Sequence, residues 1–121
     1  MHHPTDISLK TKSRLLSLRY ADGQQFDLGC EYLRVHSPSA EVKGHGPGQS
    51  VLQTGKEQVN IREIVPVGTY AIRLVFDDGH DSGIYTWDYL YDLGKMKEKK
   101  WDAYLQALIA AGYERKQNER H

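Results

Sequence analysis

The sequence predicts an α+β domain: a mostly antiparallel sheet built from two Asp-Gly hairpins, with short helices and a C-terminal amphipathic helix. Three observations carry the prediction. Leu16, Leu18 and Tyr20 alternate with Ser17 and Arg19 ahead of Asp22-Gly23, the period of a half-buried strand running into a turn. Ile72, Leu74 and Phe76 alternate with Arg73 and Val75 ahead of Asp78-Gly79 in the same way. Trp101, Tyr104, Leu105, Leu108 and Ile109 fall at i, i+3, i+4, i+7 and i+8, one stripe of an α-helix that packs onto the sheet.

Taken in order, residues 1–12 are polar and predict a frayed lead-in, 13–113 a single domain, and 114–121 a polar tail. Asp22-Gly23 fits a type I′ turn, whose two central residues both need positive φ. Phe26 and Leu28 mark the return strand, and Glu31 to Arg34 a short helix ending before Pro38. Lys43 to Gly48 is dense in breakers and reads as loop. Asn60 to Val67 is rich in β-branched residues and predicts a strand, with Pro66 at an edge or bulge. After the second hairpin, Thr86 is placed to cap a helix starting at Trp87, with Leu90 and Leu93 facing inward and Gly94 ending it. Gly112 is a fitting stop for the last helix. The two hairpin stretches share one layout: strand, Asp-Gly turn, strand, short helix. Either they form a structural repeat or two common hairpins coincide.

At 121 residues the chain has room for one core. Sixteen basic and sixteen acidic side chains give zero formal charge, which argues against a dedicated nucleic-acid or membrane-surface binder. No apolar run approaches a membrane span, and a cytoplasmic location is the expectation. The single cysteine, Cys30, excludes an internal disulfide and a cysteine-cluster metal site.

Motifs of catalysis are sparse. Gly44, Gly46 and Gly48 alternate, but no Gly-Lys-Ser/Thr closes a phosphate loop, and a flexible loop is the reading. Cys30 sits where a strand meets a helix, a place that lowers a thiol pKa, or else is a small buried hydrophobe. Asp77, Asp78, His80, Asp81, Asp88 and Asp92 match no calcium loop, and the lysines from Lys95 to Lys100 read as a solvated helix start. Tyr85, Trp87, Tyr89 and Tyr91 are crowded beside a turn, as on recognition surfaces.

The run from Phe76 to Leu90, with Glu31 to Gly46 and Ile64-Val65-Pro66-Val67-Gly68-x-Tyr70-Ala71, resembles the gamma-butyrobetaine hydroxylase-like N-terminal domain family. These are small stand-alone bacterial domains of unknown function. The likeness runs over residues 14–94 in three ordered motifs. It implies a module that also precedes the catalytic domain of the hydroxylase and occurs fused to some P-loop iron–sulfur carriers. The hydroxylase version holds a structural zinc through three cysteines and a histidine. The matching positions here are Ser37, Ser39, Val42 and His80, so the resemblance implies no zinc and no other cofactor. A looser metal site would have to use His36, His45 and His80, with Asp78. An oxygenase facial triad on its own β-barrel has no counterpart in this chain.

The expectation is therefore a non-catalytic accessory module. It would present the two turns, the Gly-rich loop and the aromatics to a protein partner, an iron–sulfur carrier being the one the resemblance implies. Arg34, His36, His45, Asp78, His80, Tyr85 and Trp87 are the partner- or ligand-binding candidates. The alternative is a small-molecule or metal-binding protein using the His-bearing loops. A small enzyme using Cys30 or His80 is the third reading.

Overall fold

Two three-stranded antiparallel meanders, each followed by a helix, share one hydrophobic core. The computed structural model describes residues 2–43 and 51–116. The first meander joins β1 (Asp6–Lys10), β2 (Leu15–Arg19) and β3 (Gln25–Gly29) and leads into α1 (Cys30–Val35). A four-residue helix, α2 (Ala40–Lys43), follows. The second meander joins β4 (Ile61–Val67), β5 (Ala71–Phe76) and β6 (Ile84–Thr86) and leads into α3 (Trp87–Lys95), with α4 (Lys97–Ala110) after it. The α+β class is as the sequence predicts, but the hairpins lie in two sheets rather than one.

The core takes the inward residues of both meanders. Leu16, Leu18 and Leu28 come from the first, Ile61, Ile72, Leu74 and Phe76 from the second, and Leu33, Leu90 and Leu93 from the helices. Thr86 caps α3 as expected, its Oγ1 accepting the Tyr89 N–H at 3.1 Å. Pro66 lies on β4, an edge strand, where its missing N–H breaks no ladder.

Several expectations are corrected. Residues 1–12 do not fray throughout: Asp6–Lys10 pairs along the whole of β2. β1 is an exposed edge on which only Leu9 reaches the core, so its own hydrophobic pattern is too thin to announce a strand. The Asp22-Gly23 turn is not type I′, and the second turn is built the same way. Gly23 (φ 90°) and Gly79 (φ 93°) have positive φ, while the preceding aspartates do not. Asp22 and Asp78 instead accept the backbone N–H two residues on, at 3.0 and 3.1 Å, so the carboxylate shapes the loop.

Gly94 does not end α3; it lies inside it. A Cβ there would collide with the Phe26 ring of β3, so glycine lets helix and sheet approach. The stripe of α4 is narrower than its spacing implies: Tyr104 and Leu108 are buried, while Ile109 is 68% exposed. That helix leans on α3 and, through Tyr104, on α1. The tail is not free at its start, because Arg115 pairs with Glu31.

Candidate functional site

Three of the candidate residues, Arg34, Asp78 and His80, meet where the second turn touches the end of α1. Arg34, in the last turn of α1, is 7% exposed and donates from Nε to Asp78 Oδ2 at 2.9 Å. Its Nη1 donates to Gln53 Oε1 at 3.1 Å, and Lys56 Nζ joins on Asp78 at 2.6 Å. Burial alone would raise the Asp78 carboxyl. The donors from Lys56, the His80 backbone and Arg34 outweigh it and hold the group down at about 2.

His80 is 5% exposed and engaged at both ring nitrogens. Nδ1 lies 2.9 Å from Glu41 Oε1 and Nε2 lies 2.8 Å from Ser37 Oγ. A carboxylate only accepts, so Nδ1 donates to Glu41, and Nε2 is bonded to the Ser37 hydroxyl. Ser37 Oγ also accepts the Ser39 N–H at 3.2 Å, and Ser39 Oγ lies 2.7 Å from Ser82 Oγ. Gly83 permits this closeness, since a Cβ there would overlap Ser37 Oγ. The order acid, imidazole, hydroxyl is that of a nucleophile with its base. Ser37 is fully buried, however, so the hydroxyl has no open face for a substrate.

The four positions that match the zinc ligands of the hydroxylase version do come together. Ser37, Ser39, Val42 and His80 are all buried. Their donor set does not fit zinc: two hydroxyls already in hydrogen bonds, an aliphatic chain, and an imidazole whose nitrogens are both taken. His36 is elsewhere. Its Nδ1 donates to the Tyr32 carbonyl at 3.0 Å, and burial, with Lys100 and Lys43 nearby, pushes its pKa down. It lines a groove of about 490 Å³ with Lys43, Gln53, Tyr89 and Lys100. His45 lies outside the described residues, as does the Gly-rich loop from Gly44. No three His, Cys, Asp or Glu side chains converge as a metal cluster among the described residues.

Tyr85 and Trp87 are corrected from surface to core. Tyr85 is fully buried and donates its hydroxyl to the Leu33 carbonyl at 2.6 Å. Trp87 is 7% exposed and donates from Nε1 to the Thr69 carbonyl at 2.8 Å. The expected aromatic recognition surface is thus an internal brace. Cys30 is likewise buried, and burial pushes its thiol up to about 11, away from the thiolate a nucleophile needs.

Exposed apolar side chains lie elsewhere, among them Val51, Leu52, Ile109 and Ile84, the last on the outer face of the second sheet beside half-buried valines. Val65 and Ile84 flank Arg73 across the strands, with Val67 and Val75 on the same face. Ile84 is 42% exposed and Tyr70, at the β4–β5 turn, 52%. The outer face of the first sheet carries Asp6, Ser8, Ser17, Arg19, Gln25 and Asp27 at the corresponding registers, with Lys10 and Leu15 at its end. Alternation in β4 and β5 announces this face, and the pairing shows which residues share it; there Arg73 donates to the Asp81 carbonyl at 3.1 Å.

A family model described as gamma-butyrobetaine hydroxylase-like, N-terminal, matches residues 7–91. Two NMR solution structures are similar over nearly the whole chain. One is 50% identical, with a TM-score of 0.84, covering 99% of this chain and 94% of its own. The other is 49% identical, with a TM-score of 0.81, covering 100% and 94%. A crystal structure of a protein of unknown function in the DUF971 family, from Acidithiobacillus ferrooxidans, is 41% identical with a TM-score of 0.65. It covers 76% of this chain and 92% of that one. No curated protein matches.

Proposed function

The chain belongs to the gamma-butyrobetaine hydroxylase-like N-terminal family, and from that premise we propose that it is a non-catalytic accessory module that binds a protein partner through the outer face of its second sheet. The observation that carries this reading is the contrast between the two sheets. One outer face is mostly polar, with the half-buried Leu15 at its end, while the other sets Val65, Val67, Val75 and Ile84 around Arg73, with Glu63 opposite Val75. Exposed apolar faces on an otherwise polar surface are where partners dock. The reactive groups support the same reading, because His80 and Ser37 are buried and bonded to each other, with the exposed Glu41 on the other nitrogen of the ring.

The family's occurrence beside iron–sulfur carriers makes such a carrier the first partner to test, in the cytoplasm where both would meet. No helix among the described residues is long and apolar enough to cross a membrane. Titration of a purified iron–sulfur carrier from the same host, followed by NMR, is expected to shift amides of β4 to β6. Ile84→Lys is expected to abolish the shifts while leaving the fold intact. Shifts confined to the first sheet, or no binding, would refute the surface. Packing and hydrogen bonds replace the zinc in this reading, so metal analysis is expected to find no stoichiometric zinc. One zinc per chain, lost in His80→Ala, would overturn that.

A second reading, a small-molecule binder, has the groove beside His36 in its favour, where Lys43 and Lys100 supply positive charge to an anionic ligand. A carboxylate or phosphate compound that raises the melting temperature, and fails to do so in Lys100→Ala, would favour it.

A further inference from the structure

The start of α1 carries a site that the sheet face does not use. We propose that Glu31, Trp101 and Tyr104 form a guanidinium-binding site, filled in cis by Arg115, that takes the arginine side chain of another peptide segment when the tail departs.

Glu31 is only 8% exposed, and a carboxylate at that depth must have donors on both oxygens. Arg115 supplies them as a fork. Its Nε donates to Oε2 at 3.0 Å and a terminal nitrogen to Oε1 at 2.5 Å. The Tyr104 hydroxyl donates to Oε2 at 2.9 Å, fixing the carboxylate before any guanidinium arrives. The guanidinium carbon lies 5.3 Å from the centre of the Trp101 ring. A buried carboxylate offering two oxygens in plane, beside an aromatic face, suits a planar forked cation and not a point charge such as lysine.

The receptor belongs to the body of the fold and the occupant to its periphery. Glu31 sits on α1 and Trp101 and Tyr104 on α4. Arg115 follows Gly112 in irregular chain, and its own side chain is 31% exposed. Besides Arg115, that segment is held by Glu57, which accepts the Tyr113 hydroxyl and the Lys116 N–H, each at 2.7 Å. A groove of about 370 Å³ continues beside the clamp, walled by Arg14, Leu15, Cys30, Tyr32 and Trp101. It gives room for the residues flanking an incoming arginine. The tail competes at an effective concentration in the millimolar range, so entry in trans requires its release.

The test uses the full chain carrying Arg115→Ala, titrated with N-acetyl-arginine methylamide and with the lysine analogue. The readouts are melting temperature and the Trp101 indole N–H signal, with the Trp87 indole, bonded to Thr69, as internal reference. The arginine analogue is expected to raise the melting temperature by roughly 3–6 °C at about tenfold saturation and to shift Trp101 alone. The lysine analogue is expected to do neither. The unmodified chain should need at least about tenfold more analogue, because its own tail competes. Absence of a saturable response in the variant, an equal response to lysine, or an equal response from the unmodified chain would overturn the proposal. If Arg115→Ala fails to fold, Arg115→Lys keeps a cation on Glu31 while losing the fork, and the same outcomes decide.

Discussion

The two meander-helix units follow one path and reach different ends. In both turns the glycine N–H bonds back to the aromatic residue three before it, Tyr20 or Phe76, and the aspartate accepts the next-but-one N–H. The helices answer each other as well. Tyr32 of α1 donates its hydroxyl to the Leu93 carbonyl of α3 at 2.7 Å, and Tyr89 of α3 donates to the His36 carbonyl at 2.6 Å. Tyr32 and Tyr89 stand 57 residues apart, and so do His36 and Leu93, so this exchange is a two-fold relation within one chain. The repeat that the hairpin spacing left open is therefore present in the structure. What differs is how the turns are used. Asp22 serves its own loop through Gln24, whereas Asp78 also gathers Arg34 and Lys56. Among the described residues Gln24 reaches only the Tyr91 hydroxyl across the units, while His80 binds Ser37 and Glu41. The lesson is that one backbone design tolerates either a light polar turn or a buried charged one, and the second unit carries the costlier choice.

That contrast can be broken at several points. The largest effect is expected from Asp78→Ala, which leaves the buried Arg34 guanidinium without its carboxylate and is expected to cost about 3 kcal/mol. Asp22→Ala is expected to leave the protein near its original stability in the same denaturant titration, since Asp22 is exposed. Equal losses would show that the two turns are energetically alike. The same difference has a signature in acid. The Asp78 carboxyl is held at about 2 in the folded protein, below its ordinary value of 3.8. Its contribution is thus complete above pH 4 and lost as pH falls from 4 towards 2. Asp78→Asn is expected to flatten that part of the stability profile; an unchanged slope would assign it to other carboxylates.

His80→Gln places the first turn's residue in the second. It is expected to cost about 2 kcal/mol, because Ser37 loses its imidazole partner in a site without solvent. Little change would mean that glutamine can serve both turns. The reciprocal tyrosines come next. Tyr32→Phe is expected to cost about 1–2 kcal/mol and Tyr89→Phe somewhat less, as Tyr32 is the more deeply buried. A double-mutant cycle tests whether the two bonds act as one unit. The smallest effect is expected at Tyr20, whose buried hydroxyl has no partner among the described residues. Tyr20→Phe copies Phe76 of the other unit and is expected to be neutral or to stabilise by less than about 1 kcal/mol. A clear loss would show that the hydroxyl is held by water.

The strands with strong alternation, the Thr86 cap and the glycine turns were legible in the sequence, because each depends on residues within a few positions of one another. The candidate site was legible only in part. Arg34, Asp78 and His80 carried a motif signal and do meet. Nothing in the spacing announced that Glu41 would orient His80, or that Tyr85 and Trp87 would turn inward to brace α1 and the β4–β5 turn. β1, read as loose chain, becomes a strand because β2 offers it an unpaired edge. Glu31 and Arg115 stand at opposite ends of the chain and meet only because α4 folds back over α1. Local periodicity fixes where the chain is extended or helical. Burial and polar pairing depend on which distant segments arrive at the same place, and that information exists only once the sheets and helices have packed.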